Sequence, residues 1–259
     1  MKWHPLTNDI VKQHEHYVVK ANDLIQHSRN NMSLKQYKLL LYMISKIKPD
    51  DEPPTMYAIN IKSFCLVANI DYTSGKNYED IKEALWNIDK QYIWLKTPDM
   101  KKEIRLRWFN RLLIDYGSGN IEYSFHEDIQ PYLFNLVSHY EQYQLMYVLA
   151  LKSKYAVYMY ELMKSYQGVK SIITITLEDV KKSINAQHYT SYKDFKKRAL
   201  TPALDEINKY CSDMVVKAMP HATNGGRGYD AITFVISTPA EEEEEERRTR
   251  LQDALGYDW

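Results

Sequence analysis

Four cations crowd one short stretch of this sequence: Lys193, Lys196, Lys197 and Arg198, with Asp194 as the only acid among them. Side chains of this kind and density can neutralise consecutive phosphates, and an arginine can also read a guanine edge through paired hydrogen bonds. The run from Ser191 to Cys211 spaces Phe195, Ala199, Ala203, Ile207 and Cys211 four apart, and Leu200 and Leu204 widen the stripe. That is the pattern of a helix with one buried face. The cations occupy its N-terminal half, and Asp205 and Glu206 follow them. A helix dipole favours acids near the N-terminus and bases near the C-terminus. The order here is reversed, so the basic half is expected to serve an anionic partner, a phosphate backbone first of all. An ordinary solvated basic face is the competing reading. Pro202 inside the helix costs ~3 kcal/mol and removes a hydrogen bond, so either a kink near residues 198–201 or two helices in line is expected; the kink is preferred, because the stripe continues in phase beyond it.

Other constellations point to less. His14, Glu15, His16 and Tyr17 are similar to the paired histidines and tyrosine of DNA-nicking replication proteins. Those enzymes keep an apolar residue between the histidines, and no second metal ligand is recognisable, so a loose polar N-terminus is the preferred reading. No catalytic site, metal site or cofactor is expected. Tyr155 and Tyr158 lie on an apolar stripe and read as core. Gly225, Gly226, Arg227 and Gly228 lack the Lys-Ser/Thr ending of a phosphate-binding loop. These glycines suit a hairpin tip that approaches another backbone closely. Arg227 could there reach a minor groove or a phosphate, or be an ordinary exposed hairpin arginine. Cys65 and Cys211 read as buried free thiols. The run Glu241–Glu246 reads as a solvated face.

The elements that must position these residues can be read in order. The chain has 259 residues, 44% hydrophobic and 26% charged, as in a globular protein, and its 8 glycines argue against a glycine-dependent nucleotide fold. The net charge of zero hides an asymmetry: residues 241–259 hold eight acids against three arginines, so the remaining 240 residues carry +5. No signal peptide opens the chain, and no apolar run approaches the ~20 residues a membrane span needs; a cytoplasmic protein without a membrane partner is expected. A capping box at Ser33 and Gln36 opens a helix reaching about Lys48. A strand at Tyr57–Ile61 follows, then a short helix at 62–69 and a helix opening at Ser74-Gly75 with Tyr78, Ile81, Leu85 and Ile88 on one face. Strands are expected at Tyr92–Leu95, Ile104–Asp115 and Ile121–Phe125, and a closing helix at Glu127–Leu136. The second half repeats the order: a helix at Ser153–Tyr166, a strand at Ile172–Thr176, a short helix at Leu177–Ile184, the basic helix, and strands at Met214–Ala218 and Ala231–Ile236. Helix, strand, helix, helix, hairpin describes a helix-turn-helix with a wing. The fold class is therefore α+β, two tandem winged-helix domains at 18–137 and 138–238, with a flexible 1–17 before them and an acidic tail, 239–259, helical or disordered, after them.

Several pieces together resemble the plasmid replication initiator family whose members bind iterons, the tandem direct repeats of an origin. They are Val18–Ile25, the Ser153–Leu162 helix, the stretch Tyr192–Asn208, and the glycine-arginine wing before a final strand. The resemblance runs from about Val18 to Ile236, and Tyr192–Asn208 is its most specific part. It implies two winged-helix domains that grip one face of double-stranded DNA in successive grooves. It also implies origin binding as monomers, origin opening with loading of host initiator and replicative helicase machinery, and self-repression as a homodimer through the N-terminal domain, all without enzymatic activity. By that resemblance Tyr192, Lys193, Lys196, Lys197 and Arg198 fall on the main recognition helix and Arg227 on its wing. Lys76, Asn77 and Lys82 would make secondary contacts from the first domain's helix, and Lys101 and Lys102 would sit on that domain's wing. The alternatives are a winged-helix repressor without an origin role, a nicking enzyme, and a protein-interaction module.

Overall fold

The computed structural model describes residues 16–73, 75–97, 101–222 and 228–244. The chain divides into two compact units, Met1–Lys154 and Tyr155–Trp259.

The first unit opens with β1 (Tyr17–Ala21), α1 (Asn22–Gln26) and β2 (Ser28–Arg29). Helix α2 (Leu34–Ile44) starts where the capping box was expected: Ser33 Oγ accepts from the Gln36 amide at 3.3 Å, and Gln36 Oε1 accepts from the Ser33 amide at 2.8 Å. Next come β3 (Tyr57–Asn60), α3 (Ile61–Val67) and α4 (Gly75–Lys90). Leu39, Leu40 and Leu41 of α2 and Ile81, Leu85 and Ile88 of α4 are buried, and the two helices pack together. A hairpin of β4 (Tyr92–Lys96) and β5 (Glu103–Arg107) follows α4, with β2 on its other edge. This is the winged-helix order, with β4–β5 as the wing.

The strand expected over Ile104–Asp115 is two strands in two sheets. β5 pairs with β4, whereas β6 (Phe109–Ile114) pairs with β7 (Asn120–Phe125), which also pairs with β3. Trp108 and Phe109 are both buried. Successive strand residues face opposite ways, so two adjacent inward side chains force the chain to change sheets between them. Glu127–Leu136 likewise holds only a 3-10 turn, Gln130–Tyr132, instead of a helix. Pro131 lacks the amide a longer helix would use, and Asn135 takes a left-handed φ of 52°. β8 (Tyr140–Gln144) then returns antiparallel to β1 and leads into α5 (Leu145–Ala150). That pairing ties residues 140–150 to the first unit, so the division falls at Lys154/Tyr155, later than the 137/138 read from sequence.

The second unit keeps the expected order: α6 (Lys154–Gln167), β9 (Ile172–Thr176), α7 (Leu177–Ser183), then α8, β10 (Val215–Ala222) and β11 (Tyr229–Ser237). Helix α8 runs in three segments, Tyr192–Phe195, a π-helical Lys196–Leu200, and Thr201–Tyr210. The sheet order is β10-β11-β9, all antiparallel. Its inner face presents Val216, Ile232, Phe234 and Ile236 to the core. After β11, Thr238 caps a helical turn: its hydroxyl accepts from the Glu241 amide at 3.3 Å, while Glu241 accepts from the Thr238 amide at 2.6 Å. Glu242 pairs with Lys217 there.

Candidate nucleic-acid interface

The stripe on α8 sorts its side chains as the four-residue spacing requires. Phe195, Ala199, Ala203 and Ile207 are each 0% exposed. Lys193, Lys196, Lys197 and Arg198 are all exposed on the other side. Ser191 starts the helix. Its hydroxyl accepts from the Asp194 amide at 3.1 Å and donates to Asp194 Oδ2 at 2.8 Å. Asp194 Oδ1 lies 3.8 Å from Arg198 Nε. The one acid in the cluster is thus held by the cap and offset by one helical turn from the arginine it pairs with.

Where a kink was expected before Pro202, the helix takes a π-helical turn. Helical dihedrals hold at Phe195, Lys196, Leu200 and Thr201, and the Thr201 amide donates to the Lys196 carbonyl, a five-residue step. Proline offers no amide to the carbonyl four residues back and its ring crowds that turn. Widening the turn by one residue relieves both effects, and π-turns of this kind recur at functional sites. The cations Lys196, Lys197 and Arg198 sit on the widened turn itself.

The rest of the unit holds α8 in place. Asn208 hydrogen-bonds both backbone groups of Val216, donating to its carbonyl at 3.0 Å and accepting from its amide at 2.8 Å. Asp213, in the turn after α8, accepts from Lys164 at 2.9 Å and from the Tyr160 hydroxyl at 2.8 Å, both on α6. At the other end Lys181 of α7 donates to the Tyr189 carbonyl at 2.8 Å and lies 5.5 Å from the Phe195 ring centre.

Tyr192, at the first turn, packs its ring 4.3 Å from that of Tyr229, where β11 leaves the wing. Burial, then the neighbouring Tyr229, raises the Tyr192 hydroxyl above its usual pKa. The base of the wing is therefore fixed against the helix N-terminus. The sequence reading missed Tyr229; nothing local marks a contact across 37 positions. Arg227 lies outside the described residues.

The first unit's candidates separate. Lys76 is exposed on α4. The Asn77 side chain instead donates to the Asp71 carbonyl at 2.7 Å and braces the turn before α4. Lys82 pairs with Glu79 at 2.6 Å and lies 5.0 Å and 4.8 Å from the rings of Tyr78 and Tyr116, its side chain only 15% exposed. Both are partly exposed and hold these contacts within their own unit. Lys101 and Lys102 are exposed at the β4–β5 turn. That turn is tied by the Thr97 amide to the Lys102 carbonyl at 2.9 Å and by the Lys102 amide to the Thr97 hydroxyl at 3.1 Å.

The wing also carries residues the sequence reading passed over. Cross-strand register sets Tyr92 opposite Arg107 and Trp94 opposite Arg105 on the outer face. The Arg105 guanidinium lies 3.7 Å from the Tyr92 ring centre, and Arg107 donates to the Tyr92 hydroxyl at 3.1 Å. The Arg107 hydrogen bond, and then the two guanidinium charges, lower the Tyr92 pKa. Alternation in Glu103-Ile-Arg-Leu-Arg107 was the signal that could have found these two arginines.

His16 Nδ1 is 3.5 Å from the Lys46 amine, and Tyr17 lies in β1; His14 is outside the described residues. Among the described residues no group of three His, Cys, Asp or Glu side chains could hold a metal ion, and no helix is long and apolar enough to cross a membrane.

Two family models match the chain: "Initiator Replication protein, WH1" over residues 17–164 and "Initiator Rep protein, WH2" over residues 176–236. A replication initiation protein of Escherichia coli is 25% identical over 228 residues, 85% of this chain and 69% of that protein. The crystal structure of Pi initiator protein in complex with iteron DNA superposes with a TM-score of 0.72 at 19% identity, covering 87% of this chain and 99% of that one. That likeness is one of fold, two winged-helix domains in tandem.

Proposed function

The chain belongs to the initiator replication protein family, and from that premise we propose that it binds the direct repeats of a plasmid origin as double-stranded DNA. Helix α8 enters the major groove. Arg198, held by Asp194, reads guanine edges, and Lys193, Lys196 and Lys197 hold phosphates. Tyr192 keeps the base of the wing against that helix through Tyr229, and Arg227 contacts a minor groove or a phosphate. In the first unit Lys76, Lys101 and Lys102, joined by Arg105 and Arg107, supply backbone contacts. The observation that carries this reading is the exposed cation cluster on a helix whose opposite face is fully buried.

The relative crystallised on iteron DNA supports direct repeats as the target. Fluorescence anisotropy with a duplex carrying the repeats of the cognate plasmid, against a shuffled duplex at the same salt, tests the reading. Preference of roughly a thousandfold or more is expected; equal affinity for both duplexes would sink it.

The finer parts of the reading follow from the family. The protein opens the origin and hands it to host initiator and helicase machinery, represses its own gene as a homodimer through the first unit, and performs no catalysis. The close approach of the Lys46 amine to His16 supports the last point, because a cation beside a would-be ligand opposes metal binding. Supercoiled origin DNA incubated with protein and a divalent metal should stay supercoiled; nicked circles that depend on Tyr17 would contradict it.

A further inference from the structure

The two edges of the β10-β11-β9 sheet are built differently. An open strand edge presents amides and carbonyls to any other strand, and folded proteins blunt it with lysine, proline or a bulge. β10 carries Lys217 and Pro220, and its register shifts at His221/Ala222. β9, at the opposite edge, reads Ile172-Ile-Thr-Ile-Thr176, with no charge, no proline and an unbroken register against β11. The Ile236 amide donates to the Ser171 carbonyl at 2.8 Å. Bonded pairs alternate along an antiparallel ladder. Ser171, Ile173 and Ile175 therefore turn their backbone groups to β11, and Ile172 and Thr174 turn theirs to the open edge. Ile172 is 61% exposed there. Ile173 and Ile175 lie opposite the buried Phe234 and Ile232, yet they stay only half-buried at the margin of the core face.

This edge selects its partner. The partner must be an extended strand that offers apolar side chains to Ile172 and Ile173. β9 of a second copy, antiparallel about a two-fold axis at Ile173, meets both conditions. Ile172 of each copy then faces Thr174 of the other, and the open-edge amides and carbonyls of both residues pair across the axis. Ile173 meets its own counterpart on the core face. The flanking charges agree. Lys170 lies just before β9, and Glu178 and Asp179 lie just after it, all three exposed. Glu178 pairs with Lys182, but its side chain remains 76% exposed. Antiparallel pairing brings the basic end of one strand to the acidic end of the other, whereas parallel pairing would set like charges together. We infer that the second unit self-associates through β9, joining the three-stranded sheets of two copies into one continuous sheet. Nothing in this rests on the DNA reading, and the surface lies on the second unit, apart from the homodimer contact proposed for the first.

The test uses the full chain without DNA. Ile173→Cys places two thiols across the axis, where a non-hydrogen-bonded antiparallel pair holds its Cα atoms about 4.5 Å apart, within disulfide range. Cys65 and Cys211 are buried and add little background. Under mild oxidation Ile173→Cys is expected to cross-link about tenfold faster than Met219→Cys, an exposed position on the β10 edge, because only the former aligns two thiols. Adding Ile172→Lys should slow that cross-linking about tenfold, since two lysines then lie diagonally across the axis. Sedimentation velocity on chains without an introduced cysteine gives a readout independent of Ile173. There Ile172→Lys, at an exposed position, should weaken self-association about tenfold, and Lys170→Glu should weaken it about threefold, the scale of exposed ion pairs. Cross-linking of Ile173→Cys no faster than that of Met219→Cys would overturn the assignment, and so would self-association that Ile172→Lys leaves unchanged. Either result would leave the β9 edge to a strand other than its own copy.

Discussion

At the scale of the residue, the cations of α8 differ in what holds them. Arg198 is paired with Asp194 across one helical turn, which limits its range of approach and suits a base reader. Lys193 stands one turn earlier, exposed. Arg198→Ala should therefore cost about 1–3 kcal/mol on the cognate repeat and little on random duplex. Lys193→Ala should weaken both and reduce the salt slope by about one. Anisotropy titrations across salt check the pair, and equal losses on both duplexes for both variants would refute the division of labour. Lys46 gives a second residue-scale expectation. Burial lowers its amine from 10.5 to about 8 in the folded state. Below that value both states hold the proton, and the folded state bears the cost of a buried cation. As pH rises from about 8 to 10.5 the unfolded chain binds more protons than the folded one, so stability rises with pH over that window. Lys46→Met should exceed the parent in stability at pH 7, and urea denaturation should show the gain shrinking towards pH 10. A constant difference would mean the amine is not desolvated.

At the scale of the element, the π-turn in α8 joins two tasks. The segment Thr201–Tyr210 is anchored through Ala203, Ile207 and the Asn208–Val216 pair. Tyr192–Arg198 carries the cations. One extra residue in the turn rotates the second part relative to the first by about 100°, so the π-turn sets where the cations point. Pro202→Ala restores the missing amide and lets the turn revert to α. Its expected signature is a thermal midpoint equal to or above the parent with affinity for the repeat down about tenfold. Unchanged affinity would show that the π-turn does not aim the cations. The buried stripe of α8 was legible because period four survives whether or not one turn is wide. The π-turn was not, because a proline announces a lost hydrogen bond and leaves open how the chain absorbs it. The same limit applies at Trp108, where two adjacent buried residues mark a break that an apolar run conceals.

At the scale of the whole molecule, charge is the organising quantity. Residues 241–259 carry a net −5 and the remainder +5. The start of the acidic run is fixed on the second unit, where Glu242 pairs with Lys217 and hydrogen-bonds Ser237 at 2.5 Å. An acidic segment attached to a basic DNA-binding unit competes with phosphate for the same field. Deleting 241–259 should tighten binding to random duplex at low salt, and the difference should vanish at high salt as screening shortens the field. No low-salt difference would mean that the segment lies outside the field the DNA senses.

Residue spacing alone determined the order helix, strand, helix, helix, hairpin in each half, the capped start of α2, the buried stripe of α8 and the position of its cations. All of these depend on neighbours within a few positions along the chain, where local geometry couples residue type to structure. The tertiary structure decided what depends on partners distant in sequence. It set Tyr229 against Tyr192, gave β8 to the first unit through β1, and joined Lys46 to His16. It also gave Lys82 its neighbours Glu79, Tyr78 and Tyr116, because a lysine's reach along the sequence says nothing of which side chains surround it.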